Sequence, residues 1–164
     1  MTILRSMSFG CAFFISLVFT SAACFGDDAK KGSPEDFIRS LYNFHQPGKD
    51  TPDWFDNRQT LSKYFDKDLT DLFIKDDECA KREQGVCNLD FDPIYDAQDF
   101  DKETTNLQIA PVAGEPDSFS VTFTNLGTRT LVYKLTNTPD GWRISDIKYP
   151  EGSPLKEILS RKIE

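Results

Sequence analysis

A single histidine, His45, is all that the 164 residues contain, and that scarcity excludes much familiar chemistry. A Ser-His-Asp or Cys-His relay would have to run through it, yet no serine lies in a nucleophile-elbow pattern. With Cys79 and Cys87 it supplies at most three zinc ligands, and there is no close Cys or His pair to chelate the ion. His45 ends the apolar face of a helix, beside Gln46-Pro47-Gly48, where packing accounts for it.

Positive charge is the second shortage. Lys and Arg number 19 against 27 Asp and Glu, a formal net charge of −8, and the cations form no stripe. Nucleic acid is excluded on this ground, because affinity for it comes mainly from cations neutralising phosphates. Anionic membrane surfaces are excluded as direct partners for the same reason. The imbalance is concentrated: Asp66 to Glu103 holds 13 acidic and five basic residues. A basic protein or a small ligand is the partner this charge permits, and a solvated face with no partner is the plainer alternative.

Long apolar runs are also rare, and the one present lies near the start. Arg5, the run from Phe9 to Phe19 and the small residues Ser21, Ala22 and Ala23 have the three-part layout of a secretory signal over residues 1–23. A spanning helix needs roughly 20 apolar residues, so this run is too short. Removing it leaves 141 residues, enough for one domain with a real core.

Cleavage after Ala23 makes Cys24 the first residue. "SAAC" resembles a bacterial lipoprotein box, with Ser21 in place of the usual aliphatic residue. Cys11 departs with the leader, and Cys24, Cys79 and Cys87 remain, an odd number for an oxidising compartment. Lipidation of Cys24 accounts for the odd thiol, and the multiple acyl chains it implies would anchor the chain stably. The alternative is a soluble periplasmic protein with a spare thiol. Cys79 and Cys87 are expected to close a disulfide loop.

Residues 24–32 read as a tether, small and charged without an apolar period. The domain is expected over 33–164. Ser33 suits a helix cap, Pro34 its first position, and Glu35 and Asp36 its positive end; Phe37, Ile38, Leu41, Tyr42 and His45 then share one face. Leu61, Tyr64, Phe65, Leu69, Leu72 and Phe73 predict a second amphipathic helix over about Thr60 to Lys75. Beyond Asp101 the period changes to two. Strands are expected from Leu107, through "SFSVTFTN", "RTLVYKLT" and "GWRISDIKY", joined by short turns and therefore antiparallel neighbours. A short closing helix follows, with Ser153 as its cap. The fold class is α+β: two N-terminal helices on a curved antiparallel sheet of about four strands, then a short C-terminal helix.

The conspicuous stretch is "DFDPIYDAQDFD", with five aspartates between Asp90 and Asp101 and no cation. As an EF-hand starting at Asp90 it puts Ile94 at position five and Tyr95 where glycine is needed; starting at Asp92 it fails at position three. No metal or other cofactor is therefore expected. Asp92 before Pro93 suits a turn whose carboxylate accepts backbone amides. Gln98 and Asp99 are placed as partners of backbone groups where the loop enters the sheet. Asp90, Asp96 and Asp101 are expected to stay wet.

The residues "LDFDPIYDAQDFD" followed by "VTFTNLGTRTLVYKLTNTPDGWRISDIKYPEGSPLKEIL" resemble the bacterial envelope family known as domain of unknown function 3828. Asp92-Pro93, Ala97-Gln98-Asp99, Gly141-Trp142-Arg143-Ile144, Asp146-Ile147, Leu155 and Leu159 carry the resemblance, over roughly Phe37 to Leu159. It implies an NTF2-like or cystatin-like cone in a secreted or lipid-anchored protein, and carries over no catalytic residue.

The function expected is a non-catalytic envelope module that binds a basic protein or small ligand, in one version as an immunity-type inhibitor of a basic toxin. Trp54 and Phe55, in a loop, are the candidate partner contacts, whereas Trp142, in register with Ile144, is assigned to the core. The rival is a small cavity enzyme acting on an envelope metabolite or cell-wall fragment, with Asp99, Tyr42 and Asp146 as its candidate catalytic groups. A buried carboxylate beside a tyrosine would favour the enzyme, and carboxylates bonded to backbone would count against it.

Overall fold

A computed structural model describes residues 32–46, 54–99, 101 and 103–162. The leader, Cys24 and the tether up to residue 31 lie outside them. So do Pro47 and Gly48, which were expected to end the first helix.

Helix α1 spans Pro34–Phe44 and begins as its sequence requires: the Ser33 side chain accepts from the Asp36 amide at 3.1 Å, with Pro34 in the first turn. Ile38, Leu41 and Tyr42 are its buried residues, and the His45 amide closes the last turn on Leu41 O at 2.8 Å.

The single helix expected over Thr60 to Lys75 is two helices, α2 (Arg58–Tyr64) and α3 (Lys67–Glu83). Phe65 between them is extended, Asp66 caps α3 by accepting from the Leu69 amide at 2.8 Å, and the Asp66 amide donates to Ile144 O at 2.9 Å. A capping aspartate and a carbonyl from a distant strand thus interrupt the ladder. Leu61, Phe65, Leu69 and Phe73 are nevertheless all buried, because the break preserves their common face. The polar end of α3 runs on to Glu83 and stops at Gln84, which takes left-handed backbone angles.

The sheet is an antiparallel meander in the order β1 (Thr105–Val112), β2 (Glu115–Thr124), β3 (Thr128–Thr138), β4 (Gly141–Lys148). Phe119, Val121 and Phe123 of β2 and Leu131, Tyr133 and Leu135 of β3 are buried, as their alternation requires. Pairing of β3 with β4 shifts between Lys134↔Asp146 and Leu135↔Ile144, so that Ser145 is an extra residue. This bulge lets Ile144 and Ile147, three apart, both reach the core. Trp142 lies only half-buried at its margin and donates its indole N–H to Gly32 O at 3.3 Å.

Helix α4 (Leu155–Leu159) buries Leu155, Ile158 and Leu159. Ser153 is not its cap: Pro154 holds that position, and the Ser153 hydroxyl donates to Glu157 at 2.7 Å. The first-turn amide of Lys156 instead donates to Asp146 Oδ1 at 3.0 Å, a cap supplied by β4. All four helices and the sheet contribute to one apolar cluster. The chain is thus α+β, with three helices rather than two ahead of a four-stranded antiparallel sheet.

Candidate functional site

The acidic stretch folds inward. The Asp92 amide donates to Ala97 O at 2.9 Å, closing a loop in which Asp92 Oδ1 accepts from the amides of Ile94 (2.8 Å) and Tyr95 (3.2 Å). This is the backbone-accepting role expected of Asp92. Pro93, Ile94 and Tyr95 are buried, and Asp96 takes a positive φ of 51°, a conformation that aspartate tolerates better than most residues. A loop pushed into a core must satisfy its carbonyls there, and tyrosines do so. Tyr149 donates to Pro93 O at 3.2 Å and Tyr42 to Ile94 O at 3.1 Å. The Tyr42 proton is thereby committed, so Tyr133 is the donor in the 3.1 Å contact between their hydroxyls.

Tyr95 points back from the loop and donates to His45 O at 2.6 Å. Its ring meets those of Tyr42 and Phe123 edge-on, at centroid distances of 5.7 and 5.6 Å. Burial pushes the hydroxyls of Tyr42, Tyr133 and Tyr149 well above the ordinary tyrosine range and that of Tyr95 up to about 12. These hydroxyls are held neutral at physiological pH and act as hydrogen-bonding posts.

His45 joins the loop to the chain after α1. Nε2 lies 2.5 Å from Asp92 Oδ2, and Nδ1 accepts from the indole N–H of Trp54 at 3.1 Å. An indole N–H can only donate, so Nδ1 is the acceptor and Nε2 carries the proton given to Asp92. Asp92 and His45 thus resemble the orienting half of a catalytic triad, but the indole occupies the nitrogen that would receive a nucleophile's proton. Trp54 is only 3% exposed and stacks on Phe65 at 5.9 Å. The surface exposure expected of Trp54 is overturned: its loop position conceals a partner, His45, nine residues earlier.

Tyr42, Asp99 and Asp146 do not assemble. The Tyr42 hydroxyl is engaged with Ile94 and Tyr133. Asp146 Oδ1 accepts from the amides of Ile147 and Lys156 at 2.9 and 3.0 Å, and Asp99 is exposed. The junction role assigned to Gln98 needs correction. Gln98 is exposed and donates to Asp90 at 3.3 Å. The residue that secures backbone where the loop meets the sheet is Asn125, 7% exposed: its Oδ1 accepts from the Asp101 amide at 2.8 Å, and its Nδ2 donates to Asp101 O at 3.1 Å and Thr104 Oγ1 at 3.2 Å. The signal available was the turn "NLGT", in which Asn commonly bonds backbone. Asp90 and Asp101 are exposed as expected, but Asp96 is half-buried, 3.9 Å from Arg129. Burial raises the Asp96 carboxyl and the arginine opposes the shift.

Cys79 and Cys87 are disulfide-bonded, with Cα atoms 6.1 Å apart. Among the described residues no group of three or more His, Cys, Asp or Glu is arranged to hold a metal ion, and no helix is long and apolar enough to cross a membrane.

Two concavities flank the loop. One, of about 340 Å³, is lined by Tyr42, Asn43, Gln46, Tyr95, Glu103 and Thr104. The other, of about 200 Å³, has Phe55, Phe73 and Phe91 in its wall and Asp56, Asp76 and Asp77 among its polar lining. Phe55, half-buried, is the member of the Trp54-Phe55 pair that reaches a surface feature. Compared with protein-family models, with curated proteins and with solved structures, the chain matches none.

Proposed function

We propose that the chain is an exported envelope protein whose domain binds a cationic partner through an acidic face and performs no catalysis. The observation that carries this reading is how the carboxylates divide. Asp92 and Asp146 spend their oxygens on backbone amides and on His45, whereas Glu78, Asp90, Asp99, Asp101 and Glu103 are exposed. Exposed charge of one sign steers and selects a partner of the other sign. The hydroxyl and carboxyl groups that would be needed for acid-base work are held in structural bonds or lie apart.

In the same proposal the domain is an NTF2-like cone related to the envelope family of domain of unknown function 3828. It is secreted by the leader and tethered through lipidated Cys24. An inhibitor that covers a basic surface of a toxin is one concrete form of such a module.

The test of the binding reading is a pull-down from native envelope with the full chain at low and high salt. A basic partner retained at low salt and lost at high salt is the expected result. Recovery of nothing, or of a partner indifferent to salt, overturns it. Palmitate labelling tests the anchor: it should disappear in Cys24→Ala, and persistence refutes the attachment point.

A further inference from the structure

The concavity beside α3 combines an aromatic wall with carboxylates. Phe55 and Phe73 lie nearly parallel with centroids 5.5 Å apart, and Phe91 is held edge-on against Tyr149 at 5.3 Å. Phe73 is buried whereas Phe55 and Phe91 are half-buried, so two rings keep surface within reach of a ligand. Asp76, itself buried, accepts from the amides of Asn88 at 2.8 Å and Leu89 at 3.3 Å, which pins the segment leading to Phe91 against α3.

Asp56 and Asp77 remain at the rim, and an ammonium already stands between them. Lys81 Nζ is 2.8 Å from Asp77 and 3.6 Å from Asp56. The Lys81 side chain is 62% exposed. An ion pair so open to water contributes little and exchanges readily. Three carboxylates against one ammonium leave the site anionic.

We propose that this groove binds an arginine side chain presented by a basic protein partner, whose guanidinium displaces Lys81 from Asp56 and Asp77 and lies against Phe55 and Phe91. Arginine suits the site better than lysine because its planar group stacks on aromatic faces and bonds two carboxylates in a fixed fork. The inference rests on the cationic-partner reading above and assigns that partner's anchor. Lys81 is then a competitor for the site.

The probe is a fluorescein-labelled peptide of three arginines flanked by glycines, titrated by anisotropy with the full chain at low salt. Its citrulline counterpart has the same length and no charge. Arginine-dependent binding is expected, weakened about tenfold by Asp56→Asn with Asp77→Asn, about fivefold by Phe91→Leu, and tightened about threefold by Lys81→Gln. Asp117→Asn, on the exposed start of β2, should leave it unchanged. The rim variants and Lys81→Gln do not touch the core, so they remain informative if Phe91→Leu fails to fold. Salt-sensitive binding that the rim variants and Lys81→Gln leave unchanged overturns the groove while keeping the acidic-face reading. Equal binding of the citrulline peptide overturns the groove, and no binding of the arginine peptide overturns both.

Discussion

Substituting Asp92 by alanine removes three hydrogen bonds in one step. Oδ1 serves the amides of Ile94 and Tyr95 at 2.8 and 3.2 Å, and Oδ2 serves His45 Nε2 at 2.5 Å. Bonds to a charged acceptor contribute about 1.5–3 kcal/mol each, and donors stranded in a core add their own desolvation cost. The Asp92 side chain is 9% exposed and that of His45 12%, so little water is at hand to replace the carboxylate. Because the three bonds share one group they do not add fully, and a loss of about 3–4 kcal/mol is expected. Urea unfolding followed by far-UV circular dichroism should show the midpoint falling with an unchanged slope. In a domain of this size the corresponding fall in Tm is about 10–15 °C.

Asp92→Asn sharpens the argument. The carboxamide oxygen can still accept from both amides, but its NH₂ group then faces the His45 Nε2–H. His45 cannot move that proton to Nδ1 without losing the Trp54 bond, because the indole only donates. An intermediate loss of about 1.5–2 kcal/mol follows. A loss within about 0.5 kcal/mol of wild type for Asp92→Ala, or an asparagine variant as damaging as the alanine one, refutes the role given to the His45 bond or to the turn.

Three other expectations follow from the same geometry. All five tyrosines are raised above the ordinary value of 10.0. Their contribution to stability is therefore complete below pH 10.0 and lost as pH rises towards the folded value of Tyr95, about 12. Absorbance at about 295 nm should show tyrosinate appearing together with cooperative unfolding, and five independent titrations near the ordinary value would contradict this. The Cys79–Cys87 bridge closes a short loop, so reducing it should cost about 2–3 kcal/mol. A chain lacking Cys11 and Cys24 should show no free thiol when denatured without reductant, and two thiols would disprove the bridge. Asn125→Ala should cost about 2 kcal/mol and speed amide exchange at Asp101, and unchanged exchange there would dissociate Asn125 from the loop.

The sheet was legible because burial on one face writes itself as alternation, and Phe119, Val121, Phe123, Leu131, Tyr133 and Leu135 all follow it. The break between α2 and α3 was hidden by the very pattern that marks a helix. Leu61, Phe65, Leu69 and Phe73 keep a spacing of four whether or not Phe65 is helical, and the carbonyl that stabilises the break belongs to Ile144. Capping by Asp146 in place of Ser153 was illegible for the same reason: a side chain in β4 outcompeted the local one. Trp54 was misplaced because turn-rich flanks suggest exposure, while the His45 Nδ1 that accepts its N–H comes from the end of α1. Local periods reveal which faces are apolar; they do not reveal which polar groups meet across the core.

The aspartates of the acidic stretch consequently differ in kind although they lie within twelve residues, with half-buried Asp96 between the extremes. Asp92 is followed by Pro93, Ile94 and Tyr95, three residues that bury themselves, so its carboxylate is drawn inward and must be bonded. Asp90, Asp99 and Asp101 remain exposed. Stability is thereby carried by Asp92, and under the proposed function recognition falls to the exposed members of the same cluster. Neutralising the exposed three to asparagine should leave unfolding unchanged while lowering the negative charge offered to a cationic partner, whereas altering Asp92 should unfold the loop that places the others. If both manipulations destabilised the domain equally, the cluster would be structural throughout and the acidic-face reading would lose its foundation.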